Sequence, residues 1–177
     1  MRVIAGKLGG QKFQSPQSDM THPMSEKIRG AIFNALGDIE GLSVLDVFAG
    51  SGALSIEAIS RGASEAVAID SDRKSQEIIK TNIQRLETGD QVSVIGSSAS
   101  VWLKENDQQF DIVLMDPPYD KVDVDVIQEL ARHTKPQGIA IISLPIVITL
   151  ELADSFELLS SKTYGSAKLV FYRRISD

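Results

Sequence analysis

Asp116-Pro117-Pro118-Tyr119 is the stretch of this sequence best equipped for chemistry. It follows an apolar run from Phe110 to Met115 that reads as a buried strand, so the four residues fall where a strand ends. An exocyclic amine on a nucleic-acid base is conjugated to its ring and is therefore a poor nucleophile. A carboxylate and a carbonyl that each take one of its N–H bonds favour pyramidalisation and aim the lone pair at an electrophilic methyl. Asp116 is the first acceptor and the Pro117 carbonyl the second, with Pro117 and Pro118 fixing φ so that the carbonyl is held rigidly. Tyr119 offers an aromatic face for a flipped or unpaired base, a contact worth about 1–3 kcal/mol. Positioning the two reactants removes more of the barrier, and neither a metal nor a covalent intermediate is required. The plainer alternative is a Pro-Pro turn with Tyr119 packed beside it. A second signature elsewhere in the chain argues against that.

The second signature is Asp46-Val47-Phe48-Ala49-Gly50-Ser51-Gly52, again at the end of a short apolar run. Gly50 and Gly52 allow a tight turn and close approach of backbone to a ligand. Asp70, about 20 residues beyond Gly50, ends the next apolar run and, with Ser71 beside it, can accept hydrogen bonds from ribose hydroxyls. A pyrophosphate-binding loop would carry a third glycine at position 55, which here is Ser55. A carboxylate at Asp46 suits the ammonium of a methionine moiety better than it suits a diphosphate. The expected cofactor is S-adenosylmethionine, with Asp46, Phe48, Ala49, Gly50, Ser51 and Gly52 around its methionine part. A mere strand-to-helix turn is the plainer reading of the same loop.

These residues need a scaffold, and the chain supplies an alternating one. Short strands are expected at 2–6 and 11–14, forming a hairpin around Gly9-Gly10, then a loop over 15–24 and a helix from Ser25 to Leu36. Strands follow at 44–48, 66–70, 92–95, 110–115 and 139–143. Helices come between them to about Arg61 and at 72–86, 98–105 and 122–133, and two strands at 155–162 and 167–174 close the chain. This pattern predicts a Rossmann-like α/β fold. Its sheet is mostly parallel and seven-stranded, with helices on both faces, an antiparallel C-terminal strand and a small N-terminal hairpin extension. Residues 1–24 form the extension and 25–177 the main domain. Ligands on such sheets bind beyond the carboxyl ends of the strands, where both signatures fall.

Composition narrows the classes. The 177 residues fit one domain, and 42 % hydrophobic with 24 % charged residues is ordinary for a soluble globular protein. No apolar run approaches the roughly 20 residues needed to span a bilayer. Residues Met1 to Gly10 lack the apolar segment of a secretory signal. With no cysteine, and with His22 and His133 far apart, neither a disulfide framework nor a metal site is expected, and the reducing cytoplasm is the default location. The net charge of −6 opposes non-specific nucleic-acid binding, yet it is unevenly spread. Residues 1–33 carry five basic side chains (Arg2, Lys7, Lys12, Lys27, Arg29) against two acidic ones, and the rest of the chain carries 13 against 22. Simple solubility is an equally good reading of that imbalance.

With these residues in place, the chain resembles the bacterial small-subunit ribosomal RNA guanine-N2 methyltransferases. The resemblance spans nearly the whole length: Arg2 to Lys7 with Gly10-Gln11-Lys12, the segment Ile28 to Leu36, the glycine loop, the Asp116 tetrapeptide, and Tyr164-Gly165 through to Tyr172. It implies adenosylmethionine as donor and a guanine in small-subunit ribosomal RNA, or in its assembly particle, as acceptor. It also implies that the N-terminal hairpin and following loop grip RNA, through Arg2, Lys7, Lys12, His22 and Arg29. His22-Pro23-Met24 stands where the family usually has Arg-Pro-Thr. In the loop after the third strand, Ser98 with Ala99 takes the place of an Asp that commonly contacts the adenine. Ser143 stands where an acidic residue is common. No membrane or metal partner is implied, and a monomer is expected. The same tetrapeptide also resembles that of amino-methyltransferases acting on DNA, on other RNAs or on protein amides. Two other classes remain, a cofactor-binding RNA-assembly factor without catalysis and an NAD-dependent oxidoreductase. Asp116 with Tyr119 argues against the first, and the incomplete fingerprint against the second.

Overall fold

The computed structural model describes residues 1–15 and 24–176. Seven strands form one sheet in the order β3-β2-β1-β4-β5-β7-β6. They are β1 (Ser43–Val47), β2 (Glu65–Asp70), β3 (Val92–Gly96), β4 (Phe110–Met115), β5 (Thr134–Pro145), β6 (Phe156–Tyr164) and β7 (Ala167–Arg174). The first five are parallel, and β7 runs antiparallel between β5 and β6. The helices are α1 (Glu26–Leu36), α2 (Ala53–Ser60), α3 (Arg73–Arg85), α4 (Ala99–Glu105) and α5 (Val124–Ala131).

Strand residues alternate between two faces, and each face builds its own core. Val44, Ala66, Ala68, Ile112, Leu114 and Ile141 point one way and meet Ile32 and Phe33 of α1, Ile56 and Ile59 of α2, and Ile79 and Ile83 of α3. Leu45, Val47, Ile69, Val113, Met115 and Ile142 point the other way and meet Trp102 of α4 and Ile127 and Leu130 of α5. Covered on both faces, β1 is buried along its whole length, which is why it reads as an unbroken apolar run apart from Asp46. Trp102 is core, stacked at a tilt on His133. Among the described residues no helix is long and apolar enough to cross a membrane.

Two expectations are corrected. The N-terminal hairpin is not a pair of strands but a loop closed by a single antiparallel bridge between Arg2 and Lys12. The Val3 N–H donates to Gln11 O and the Phe13 N–H to Met1 O, but the ladder stops there. The Ile4 and Ala5 N–H groups turn instead to the buried carboxylate of Glu57 on α2, at 2.8 and 3.1 Å, and the Lys7 N–H turns to Ser60 O. Gly6 permits that contact, since a Cβ there would lie 1.8 Å from Ser60 O. Val3 and Phe13 bury themselves in the α1–α3 core. The fifth strand also begins earlier than expected, at Thr134. Pro136-Gln137-Gly138, which lies between the expected helix and strand, is absorbed as an irregularity in the β4–β5 register, with Gln137 at φ 67°.

Candidate active site

Register brings the carboxyl ends of the central strands level. Val47 lies opposite Ile69 and Met115, Met115 opposite Ile142, and Asp70 opposite Gly96. Asp46, Asp70, Asp116 and Ser143 therefore stand along one edge of the sheet, together with the loop that leads from β1 to α2.

That loop is wound through the left-handed region at Phe48 (φ 68°), Gly50 (57°) and Gly52 (75°). A phenylalanine in this conformation is strained by about 1–3 kcal/mol, a feature that clusters at ligand clamps. Its surroundings hold it there. Ile69 O accepts both the Phe48 and Ala49 N–H groups at 3.0 Å, and Asp70 Oδ2 accepts the Gly50 N–H at 2.8 Å. Asp70 Oδ1 takes the Asp72 N–H, also at 2.8 Å. Ser55, in the position where a dinucleotide loop needs glycine, donates its N–H and its hydroxyl to Asp46 Oδ2 at 3.0 and 2.6 Å. The sequence left Ser55 without a role, and the structure gives it one.

Charge is the second property of this edge. Asp46 is buried, and burial pushes its carboxyl up to about 7; the hydrogen bonds from Ser55 oppose the rise, while the charges of Asp116 and Asp70 add to it. Asp116, at the edge of β4, is pushed up to about 6 by desolvation, with the Ser143 hydroxyl pulling it back. Among the described residues none of these three carboxylates has a basic partner. A cation is what this edge lacks.

Beyond β4 the chain turns at once. The Asp116 N–H reaches Val47 O at 3.4 Å, Pro117 is buried, Pro118 is exposed, and the Lys121 N–H closes the turn on Pro118 O. Among the described residues nothing donates to the Pro117 carbonyl. The Tyr119 hydroxyl shares a 2.8 Å hydrogen bond with the hydroxyl of Ser143, leaving the ring 39 % exposed. Desolvation holds the Tyr119 phenol above its ordinary range, and nearby Asp116 adds to this. One hydroxyl, Ser143 at the end of β5, thus contacts the tyrosine and neighbours the aspartate of the tetrapeptide.

The other expected residues fall in several places. Ser71 is exposed beside Asp70. Ser98 is the N-cap of α4, accepting from the Val101 N–H at 3.3 Å, with Ala99 buried behind it. Arg2 is exposed and paired with Glu26 at 2.9 Å, Lys7 is exposed and donates to Gln91 at 2.8 Å, and Lys12 is exposed. His22 lies outside the described residues. Arg29 requires a correction as a residue that meets RNA: it is fully buried, 3.6 Å from Glu57, and donates to Arg2 O at 2.5 Å. It holds the N-terminal bridge down on α2. No group of three or more metal-ligating side chains occurs among the described residues. Glu57 and Asn82 were not anticipated. Glu57 gathers Ile4, Ala5, Arg29 and Arg61 around one carboxylate. The available signals were an acid inside the otherwise apolar α2 and an asparagine between Ile79 and Ile83 on the buried face of α3.

The family model described as conserved hypothetical protein 95 matches residues 1–173. A Haemophilus influenzae protein named ribosomal RNA small subunit methyltransferase D is 31 % identical over 180 residues, covering 98 % of this chain and 92 % of that one. The Escherichia coli K12 protein of the same name is 39 % identical over 121 residues, covering 67 % of this chain and 60 % of that one. A solved E. coli structure, described as a candidate methyltransferase, superposes with a TM-score of 0.89 at 26 % identity and covers 100 % of this chain and 99 % of that one.

Proposed function

Because this chain belongs to the conserved hypothetical protein 95 family, alongside the small-subunit ribosomal RNA methyltransferases D, we propose that it is an RNA methyltransferase that moves a methyl group from S-adenosylmethionine to the N2 amine of a guanine in small-subunit ribosomal RNA. The observation that carries this reading is the juxtaposition at one sheet edge of an acidic, glycine-bent loop and the Asp116-Pro117-Pro118-Tyr119 turn.

The donor fits the residues that are present. It carries an ammonium and a sulfonium, and the edge carries three carboxylates without a basic partner among the described residues, two of them with raised pKa. Asp46 spends one oxygen on Ser55 and has the other for the ammonium. Asp70 already takes two backbone N–H groups, and each oxygen retains a lone pair for a ribose hydroxyl. Ser98 Oγ and the loop after β3 lie toward the adenine end. When bound, the cofactor supplies an electrophilic methyl on sulfur.

The chain's own residues then do the remaining work. Tyr119, tethered to Ser143, presents its ring to the guanine. Asp116 accepts one hydrogen of the N2 amine and the Pro117 carbonyl accepts the other, which lifts the lone pair out of conjugation. A methylated amine nitrogen would carry one proton too many and would have to lose it. Asp116 is the base within reach, and it serves as one only when ionised. Residues 1–24 form an RNA-gripping extension on the 25–177 methyltransferase domain, with Arg2, Lys7 and Lys12 on its exposed side.

The test is transfer of labelled methyl from S-adenosylmethionine to unmodified small-subunit ribosomal RNA, both naked and as assembly particles, followed by digestion to nucleosides. N2-methylguanosine is the expected product. Methylated adenine or cytosine would keep the chemistry and overturn the substrate. No transfer to any RNA, with the cofactor bound, would overturn the reading in favour of DNA, protein or a role without catalysis.

A further inference from the structure

Asn82 sits in the middle of α3 with its side chain fully buried, and every polar group of its amide is committed. Its Oδ1 accepts the N–H of Gln14 at 2.8 Å. Its Nδ2 donates to Gln14 O and to Ser51 O, each at 3.0 Å. Toward Gln14 the amide behaves as a neighbouring strand would, taking both main-chain groups of a single residue. Toward Ser51 it holds the carbonyl at the centre of the glycine loop, between the left-handed Gly50 and Gly52.

The N-terminal segment touches the same serine a second time. The Ser51 hydroxyl points at Met1 Sδ at 3.5 Å, and the Met1 ammonium donates to Phe13 O at 3.1 Å. Ser51 is therefore fixed from two directions, and both connections lead to the basic segment that includes Arg2, Lys7 and Lys12. The core does not require this arrangement. Ile79 and Ile83 fill the same face of α3 with apolar side chains, and a buried amide with no free group is instead a device that fixes one geometry. It also cannot yield at one bond alone. If the Ser51 carbonyl moves, Nδ2 must move with it or leave a buried acceptor unpaired, and Gln14 is held by the same amide.

We propose that Asn82 couples the two binding sites, so that occupancy of the glycine loop by the cofactor sets the position of the N-terminal segment and RNA binds cooperatively with it. The inference rests on the reading of this chain as an adenosylmethionine-dependent RNA methyltransferase. Asn82 is a positioning residue, acting through its bonds to Ser51 and Gln14. Linkage requires the effect to be reciprocal: whatever factor the cofactor adds to RNA affinity, RNA adds to cofactor affinity.

The experiment uses the full chain, S-adenosylhomocysteine as the unreactive cofactor form, and unmodified small-subunit ribosomal RNA. Affinity for each ligand is measured alone and with the other saturating. The wild-type protein should gain about tenfold in each direction, within the usual range of such couplings. Asn82→Leu removes the amide and is checked first for a cooperative melt. Gln14→Pro removes the donated N–H and fixes φ at a residue with an exposed side chain, and keeps the Gln14 carbonyl that Nδ2 also bonds. In Asn82→Leu both ligands should still bind singly within about twofold of wild type, while the coupling factor falls toward one; in Gln14→Pro, which keeps both Nδ2 bonds, the factor should fall part of the way. A wild-type factor of one, a factor near ten retained in a folded Asn82→Leu, or, where that variant does not melt cooperatively, a factor near ten retained in Gln14→Pro, would overturn the proposal. Failure of the functional reading would look different, because the wild-type protein would then bind S-adenosylhomocysteine or RNA singly no better than a folded control, and the coupling would fall with it.

Discussion

Asp46→Asn tests the electrostatic account of the site, because it should stabilise the cofactor-free protein while weakening its function. In the unfolded chain an aspartate titrates near 3.9, whereas burial holds Asp46 at about 7 in the folded one. From about pH 5 to pH 7 the folded protein keeps a proton that the unfolded chain has released. A raised folded-state pKa therefore contributes stability that is complete below the unfolded value and is lost as pH rises through the folded one. At about 1.36 kcal/mol per pH unit the loss between pH 5 and pH 7 is about 3 kcal/mol, before solvent relaxation reduces it. Asparagine has no such titration and keeps an oxygen for the two Ser55 donors. The variant should therefore gain on wild type by about 2–3 kcal/mol between pH 5 and pH 8, roughly 5–10 °C in melting temperature for a chain of this size. Urea unfolding of both proteins at the two pH values, with equal m-values as the control, measures the gain directly. Asp116 titrates in the same direction in both proteins and so largely cancels. A wild-type-to-variant difference that does not change with pH, or one that turns against the variant at pH 8, would refute the reasoning. Calorimetric titration with S-adenosylmethionine should show the opposite cost, since the variant cannot offer the ammonium a carboxylate.

Asp116→Asn should abolish methyl transfer and leave cofactor affinity within a few-fold. In the wild type, log kcat should rise with pH and level off above about 6, following ionisation of that carboxyl; equal loss of binding and transfer in the variant would sink the assignment of roles. Tyr119→Ala should lower RNA kcat/KM by roughly 5- to 150-fold, equivalent to about 1–3 kcal/mol of lost stacking. Tyr119→Phe, which keeps the ring and loses only the bond to Ser143, should cost far less, and identical effects of the two would show that stacking is not what the residue provides. Glu57→Gln strands the buried Arg29 guanidinium and should destabilise the fold by about 3–5 kcal/mol. Burial already holds Arg29 below its ordinary pKa with Glu57 opposing, so a loss under about 1 kcal/mol on denaturation would show that the pair is not the anchor of the N-terminal segment.

The parallel core was legible because a strand buried on both faces leaves an unmistakable trace. Val44 to Val47 and Phe110 to Met115 are apolar on both parities except at Asp46 and Asp111, and four helices keep side-chain caps, Ser25, Asp72, Ser98 and Asp123. The acids of the edge were legible for a different reason: Asp46, Asp70 and Asp116 stand in or at the end of apolar runs, and the structure gives Asp46 and Asp70 local donors that no run of hydrophobicity reports. The N-terminal segment was misread because its decisive partner is far away in the chain. Alternation and Gly9-Gly10 describe a hairpin correctly as local sequence, but the Ile4 and Ala5 N–H groups answer to Glu57, and no local pattern reports a carboxylate more than 50 residues distant. Arg29 was misassigned by its type, although its spacing gave the contrary signal. It lies three and four residues before Ile32 and Phe33, on the face of α1 that faces the core.

That misreading bears on how an acidic protein handles a polyanion. An edge lined by three carboxylates repels phosphate, and on the proposed function a site that admits one neutral base and a cationic cofactor gains selectivity from doing so. The basic groups that could hold the RNA backbone must then lie outside the edge yet in fixed relation to it. Burying Arg29 under the N-terminal bridge serves this second need: the guanidinium donates to Arg2 O and pairs with Glu57, which in turn receives Ile4 and Ala5. A basic residue of α1 is thus used to moor the basic N-terminal segment. Arg2, Lys7 and Lys12 stay at the surface on a backbone tied to α2 at one end and, through Asn82, to the glycine loop at the other. Between Arg2 and Gln14 the segment is held near both ends by buried polar groups. RNA gripped by it would therefore meet the cofactor edge in one register.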